Sequence, residues 1–255
     1  MEPVPGTLEE ALAPPQDVGA ILALVPELGL ARGLAQGPFH HLDVFGHILE
    51  TVRGVEEELA EDRIGARVSE ERREALRVAG LLHDIAKPVT RGQVEERVLF
   101  VAHDSLGAGL SYRICRRLGL SAGVTDLAAT VTALHLKIGF MSNSHSDYPP
   151  DRLVRAVGPF AGELAVLSWA DRLAARGERL KPEHVERHRE LCLEFLTRSR
   201  EGGPYPVPNY AGLAGKLGLP APDGAEAGYA ASRIRLLESR GLGTAEALDH
   251  VSGLP

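Results

Sequence analysis

The stretch AGLLHDIAKP, residues 79–88, decides how this chain is read. Ala79, Leu81, Leu82, Ile85 and Ala86 leave almost no polar face, so the segment belongs in a core. Yet His83 and Asp84 sit inside it side by side. Burying an imidazole and a carboxylate costs free energy unless something satisfies both. One solution is a divalent cation, since neutral imidazole and carboxylate oxygen are good ligands for it. The other is a buried His–Asp hydrogen bond, and the dipeptide alone does not choose between them. The spacing predicts a helix over 72–87, stopped by Pro88.

Working outward, the rest of the chain also reads as nearly all helix. Residues 43–60 carry an apolar stripe at Val44, Ile48, Val52, Val55 and Leu59, with His47 on its border. Helices are expected at 105–118, 124–137, 162–176 and 183–200, with an extended connection at 94–101. GFMSNSHSDYPP (139–150) reads as a functional or mobile loop and EGGPYPVPN (201–209) as a linker. Short helices are expected beyond it at 210–217, 226–240 and 244–251. The division expected is an N-terminal extension 1–20, a main domain 21–200, and linker plus tail 201–255.

Composition narrows the function. The chain has 255 residues, 44% hydrophobic and 25% charged, with net charge −7. Those proportions suit a globular domain and exclude disorder as its main character. No uninterrupted apolar run approaches the roughly 18–20 residues of a membrane span, and no basic-then-apolar leader opens the sequence. Cys115 and Cys192 cannot form a disulfide framework, so a reducing, cytoplasmic setting is expected. The acidic balance disfavours a broad basic face for duplex nucleic acid.

Four more polar residues interrupt apolar surroundings. His103 lies in VLFVAHDSLGAG (98–109), His135 in ATVTALHLKIG (129–139) and Asp171 in LSWADRLAARG (167–177). The fourth, Lys87, stands one turn after His83, where it could meet a phosphate oxygen or simply favour a helix C-terminus. Each has a bland alternative: a satisfied core histidine, a half-exposed His47, an Asp171 ion pair with Arg172 or Arg176. Arg91 and Arg172 are further phosphate candidates. Asp104 is read as a helix N-cap in preference to a base. His40 and His41 are expected to bond locally or touch substrate. His184 and His188 lie on a helix face charged throughout, expected to be solvated, and Val185 excludes a zinc-protease pattern. His145 could swing over a site from its loop. Trp169 and both cysteines read as core.

In order, His47, His83-Asp84 and Asp171 resemble the signature of the HD-domain metal-dependent phosphohydrolases. QGPFHHLDVFGHILETV (36–52), LLHDIAKPVTR (81–91), VLFVAHDSLGA (98–108) and RICRRLGLS (113–121) are similar to the HD region of bacterial CCA-adding enzymes and poly(A) polymerases. YAGLAGKLGLPAP (210–222) and SRIRLLESRGLGTAEAL (232–248) resemble their C-terminal segment. The resemblance implies an all-α HD-domain helical bundle with a small helical tail. It implies one or two divalent ions (Mn, Ni, Fe, Co, Zn or Mg) held by His47, His83, Asp84 and Asp171, with His103 and His135 joining if a second ion binds across Asp84. The nucleotidyltransferase head of those enzymes is not apparent in the roughly 40 residues before His47, so nucleotide addition by this chain alone is not expected.

The activity then expected is metal-dependent phosphodiesterase or phosphatase chemistry, with Asp84 and Lys87 as catalytic residues. Its favoured bond is the 2′,3′-cyclic phosphodiester or 2′-phosphate of a nucleotide or RNA end. Nucleoside mono- or triphosphates are the alternative substrates. In a non-catalytic alternative, the tail docks tRNA-like RNA or a separate nucleotidyltransferase, and the metal is structural. Truncation near Glu201 is expected to weaken RNA binding and spare a small ester. Oligomeric state stays open.

Overall fold

A computed structural model describes residues 7–141 and 149–252. His145 and most of its loop lie outside the described residues. In chain order the α-helices are α1 (Leu8–Leu12), α2 (Val18–Leu24), α3 (Val44–Glu61), α4 (Glu70–Leu82), α5 (Lys87–Thr90), α6 (His103–Arg117) and α7 (Ala122–Leu134). There follow α8 (Pro150–Val157), α9 (Ala161–Ala174), α10 (Pro182–Glu201), α11 (Tyr210–Leu217), α12 (Ala225–Ser239) and α13 (Thr244–Val251). Between α5 and α6 runs an antiparallel two-stranded sheet, β1 (Arg91–Val94) with β2 (Arg97–Phe100), Arg91 facing Phe100. The all-α expectation holds.

α3 starts where its sequence says it should. Asp43 caps it, one carboxylate oxygen accepting from the Gly46 amide at 2.7 Å and the other from the Gly33 amide at 2.6 Å. Its buried stripe includes Val44, Ile48, Val52, Val55 and also His47. α3 packs on α4 and α9, α4 on α7, and α7 on α6 and α12. The crossing of α3 with α9 is tight at Gly54, where an added Cβ would stand 3.2 Å from the Ala170 Cβ. The same helix pair brings His47 of α3 against Asp171 of α9.

Several boundaries differ from expectation. Helix α4 ends at Leu82, before Pro88 can stop it. The amides of Ile85 and Lys87 reach only three residues back, to Leu82 and Asp84, through a turn of tighter pitch. Pro88 then sits in the first turn of α5, where its missing N–H costs nothing. The 94–101 connection is the second half of a hairpin. α6 begins at His103 behind a left-handed Ala102, φ 60°, so Asp104 is inside the helix and does not cap it. Its carboxylate pairs with Lys137 Nζ at 2.7 Å.

Helices α1, α2 and α8 were not anticipated. Leu8, Ala11, Leu12 and Ile21 join the same apolar core as α3 and α4, and Ala225 and Leu236 of α12 join it from the other end. His188, expected on a solvated face, is buried because α10 turns it inward with Leu191, Cys192 and Phe195 against α9. His184 is exposed, as expected. The helical run Pro150–Ala174 is long and apolar enough to span a membrane, but 83% of its most apolar window is buried inside the protein. It is a core element. Trp169, Cys115 and Cys192 are buried, as expected.

Candidate metal centre

Five helix termini and faces bring six residues to one point. His47 comes from the first turn of α3, and His83-Asp84 from the turn that ends α4. His103 opens α6, His135 follows the last residue of α7, and Asp171 lies near the end of α9. His47 and His83 are fully buried, and Asp84 and His135 are 1% and 2% exposed. The half-exposed alternative for His47 is thereby excluded.

Asp84 is the hub. Its Oδ2 lies 3.2 Å from His83 Nε2 and 3.5 Å from His47 Nε2, while its Oδ1 lies 3.4 Å from His103 Nε2 and 3.8 Å from His135 Nε2. Asp171 Oδ1 stands 2.9 Å from His47 Nε2 and 3.9 Å from His83 Nε2. Asp171 therefore faces His47, and Arg176 pairs with Glu50 instead. Two donor sets result, His47–His83–Asp84 and Asp84–His103–His135, each with ligand atoms within 4.8 Å of one another.

Three imidazoles are anchored identically. Nδ1 of His83 meets the Gly80 carbonyl at 2.8 Å, Nδ1 of His103 the Phe100 carbonyl at 2.6 Å, and Nδ1 of His135 the Thr132 carbonyl at 2.8 Å. A carbonyl only accepts, so each Nδ1 carries the proton and each Nε2 presents its lone pair. Those lone pairs are aimed at the hub. Nε2 of His47, His83 and His103, with Oδ1 of Asp84, are buried without a hydrogen-bond partner. Buried polar atoms left unsatisfied cost about 1–3 kcal/mol each, more when charged. Four of them converge on one point, His83, His103 and Asp84 presenting lone pairs and His47 Nε2 standing beside Asp171, a set that a divalent cation would satisfy.

Electrostatics agree. Burial works to raise the Asp84 carboxyl, but His83, Lys87 and His103 outweigh it and hold it well below the usual carboxylate range. Asp171 is likewise held low, burial being overcome by His47 and then His83. His135 is pushed down to about 4, by burial first and by His83 second. Ionised carboxylates beside a neutral His135 are protonation states that metal ligation requires. His83, by contrast, is held above the usual imidazole value, burial being outweighed by the pull of Asp84, and would give up its proton on ligation.

Lys87 places its ammonium 2.6 Å from Asp84 Oδ2 and 2.6 Å from Gln36 Oε1. A cavity of about 300 Å³ opens over Asp84, Lys87, His103, His135 and Asp171, walled by Phe39, His40, Phe100 and Arg172. His40 is pushed down to about 4, by burial and then by Lys87 and His47. Arg91 is exposed at the start of β1 and does not line this cavity. A roomier cleft of about 430 Å³ under α11–α13 has none of these side chains.

Gln36 and Phe39 were missed by sequence reasoning. They lie in an irregular segment with no periodicity, and only contact with Lys87 and the cavity identifies them.

The comparisons with known proteins fit this geometry. The HD domain model matches residues 44–176, just over half the chain. The A-adding tRNA nucleotidyltransferase of Deinococcus radiodurans is 35% identical over 162 residues, 63% of this chain and 34% of that protein. The CC-adding tRNA nucleotidyltransferase of Thermus thermophilus is 30% identical over 244 residues, 90% of this chain and 49% of its own length. A bifunctional uridylyltransferase/uridylyl-removing enzyme of Novosphingobium aromaticivorans is 35% identical over 133 residues, 47% of this chain and 13% of that one. This chain thus spans a half or less of the curated relatives it matches.

Proposed function

Because the chain belongs to the HD domain family, we propose that it is a divalent-metal-dependent phosphohydrolase acting on a nucleotide or RNA end. The observation that carries this is the double-sided Asp84, one oxygen in each of two imidazole sets, with a lysine ammonium beside it. His47, His83, Asp84 and Asp171 would hold one ion, and His103 and His135 with Asp84 a second. A divalent ion bound there lowers the pKa of water from about 15.7 towards about 7 and neutralises phosphate charge. Lys87 turns its ammonium to a phosphate oxygen, steadied by Gln36, and Arg172 supplies a second cation at the cavity wall. His40, neutral above pH about 4, offers a hydrogen bond to a sugar hydroxyl.

In the reaction the oxygen of water bonds to phosphorus and one ester P–O bond breaks. The water proton ends on the departing oxygen. For a 2′,3′-cyclic phosphate this opens the ring, leaving a phosphomonoester and a free hydroxyl. That bond is our favoured substrate. The relatives named for tRNA make an RNA end a natural partner, and one relative's name includes removal of a uridylyl group.

Elemental analysis of the purified protein, paired with Mn²⁺- and Ni²⁺-supplemented hydrolysis of 2′,3′-cAMP and bis-p-nitrophenyl phosphate, tests the reading. Bound metal and turnover are expected. The double variant His83→Ala/Asp84→Ala should lose both while keeping its far-UV circular dichroism. Full phosphodiesterase activity in that folded variant would overturn the mechanism.

A further inference from the structure

The cavity over the metal centre does not end at Arg172. A second cavity, about 550 Å³, adjoins it and shares Phe39, His40 and Arg172 as a common wall, then continues past His184, Arg187 and His188. Among the described residues, none of the side chains lining this second space is acidic, in a protein whose net charge is −7. Arg172 Nε is buried there without a hydrogen-bond partner, a donor with nothing to donate to. Phe39 is 44% exposed at the junction, a large ring presented to solvent beside two cationic side chains. Arg187 pairs with Glu190 at 2.9 Å, but both side chains are more than half exposed, so the pair is weak and yields readily to a phosphate.

We propose that this second cavity is a nucleotide subsite, so that the substrate is an oligonucleotide whose terminal phosphate ester lies at the metal centre. Resting on the phosphohydrolase reading, the inference adds the length of the substrate to it. The penultimate base stacks on Phe39, as bases do on exposed aromatic rings in single-strand sites. The phosphodiester linking the last two nucleotides meets the Arg172 guanidinium at the shared wall. Arg187 and His184 take the next phosphate outward. A mononucleotide fills the first cavity alone and forgoes all three contacts. The subsite reads backbone and base face without base-edge hydrogen bonds, and so discriminates by length more than by sequence.

Two arms test this with the full chain loaded with Mn²⁺. In the first, kcat/KM is compared for a trinucleotide ending in a 2′,3′-cyclic phosphate, for 2′,3′-cAMP and for bis-p-nitrophenyl phosphate. The trinucleotide should be preferred over 2′,3′-cAMP by at least about tenfold, mostly through KM. The double variant Arg187→Glu/His184→Ala should lose most of that preference and keep wild-type turnover of bis-p-nitrophenyl phosphate. In the second arm, fluorescence anisotropy measures binding of a 5′-labelled trinucleotide ending in a 3′-phosphate. Affinity should fall about tenfold or more in the same variant, and the wild-type affinity should weaken with added salt. Equal kcat/KM for the two cyclic phosphates, or unchanged trinucleotide affinity in the variant, would overturn the subsite. If no ester is turned over, the hydrolase reading falls, and the anisotropy arm still decides whether the subsite exists.

Discussion

His188 shows how a single buried side chain converts its surroundings into pH dependence. Its Nε2 lies 2.9 Å from the Ser168 hydroxyl and 3.0 Å from the Ser168 carbonyl, on the inner face of α10. Burial, and then the charge of Arg172, push it down to about 4, against the opposing pull of Asp171 and Ser168. In the unfolded chain the same imidazole titrates near 6.5. Between the two values the unfolded chain binds the extra proton, so stability rises with pH across that window. The contribution is complete above about pH 6.5 and is lost as pH falls towards 4. A shift of this size corresponds to about 3 kcal/mol. His188→Gln should therefore show a shallower loss of Tm between pH 7 and pH 4.5 than wild type. His40 and His135, also held near 4, steepen both profiles in common, so the difference isolates His188. Parallel profiles by calorimetry would contradict the assignment.

At the scale of elements, the centre is a knot of helix ends, and a bound ion would tie them. His83 and His135 stand one residue past α4 and α7, and His103 is the first residue of α6. Each ring leans on the carbonyl three residues before it, for His83 and His135 a carbonyl of the helix just ended and for His103 that of Phe100 at the end of β2. Binding energy at such a point is folding energy shared among α3, α4, α6, α7 and α9. Metal at about a hundredfold its Kd should add ~2.7 kcal/mol. In a chain of this size that raises Tm by roughly 5–10 °C. Chelation should reverse the gain, and His83→Ala/Asp84→Ala should show none of it. A thermal-shift titration with Mn²⁺ and EDTA reads this without any substrate.

The same scale explains what could be read beforehand. The stripe of α3 and the apolar envelope of His83-Asp84 are local periodic signals, and they carried the helices, while the six residues were joined into one ligand set only by the resemblance to the HD-domain family. Gln36 and Phe39 have no such signal, since their closeness to Lys87 is created by tertiary packing. The end of α4 at Leu82 escaped because the turn of tighter pitch leaves the same apolar pattern as helix. PDRLVRAV, which forms α8, begins at the Pro149-Pro150 end of the loop 139–150 and, at eight residues, is too short for its periodicity to announce a helix. His188 was misjudged because its charged neighbours Glu186, Arg187 and Arg189 mask an inward position that only α9 defines.

For the whole molecule the question is whether the tail is an appendage or part of the body. Asp126 on α7 is fully buried, and its carboxylate is answered almost entirely from beyond the linker. Arg235 Nη2 reaches Asp126 Oδ1 at 2.5 Å, and the Tyr210 hydroxyl donates to Oδ2 at 3.1 Å. Thr130 completes the network, donating to Asp126 at 3.1 Å and linking onward to Ser232 at 2.9 Å. α12 lies so close to α7 that a Cβ on Gly228 would fall 2.1 Å from the Ala122 carbonyl oxygen. Removing the tail from Glu201 therefore strips a buried carboxylate of its cation and uncovers the face of α7. The expectation that truncation spares a small ester gives way to a stronger one: the truncated chain should be unstable, losing both ester hydrolysis and cooperative unfolding. Arg235→Met isolates the charge. Breaking one side of a buried pair costs about 3–5 kcal/mol, whereas replacing both sides with apolar groups is often neutral. Arg235→Met should thus lower stability by that amount, and Asp126→Leu/Arg235→Met should recover most of it. Urea unfolding of the two variants makes the comparison. Recovery means that the tail is held by packing, with the ion pair contributing little net stability. If the double variant stays as unstable as the single one, the pair itself, with Tyr210 and Thr130 around it, holds tail and body together.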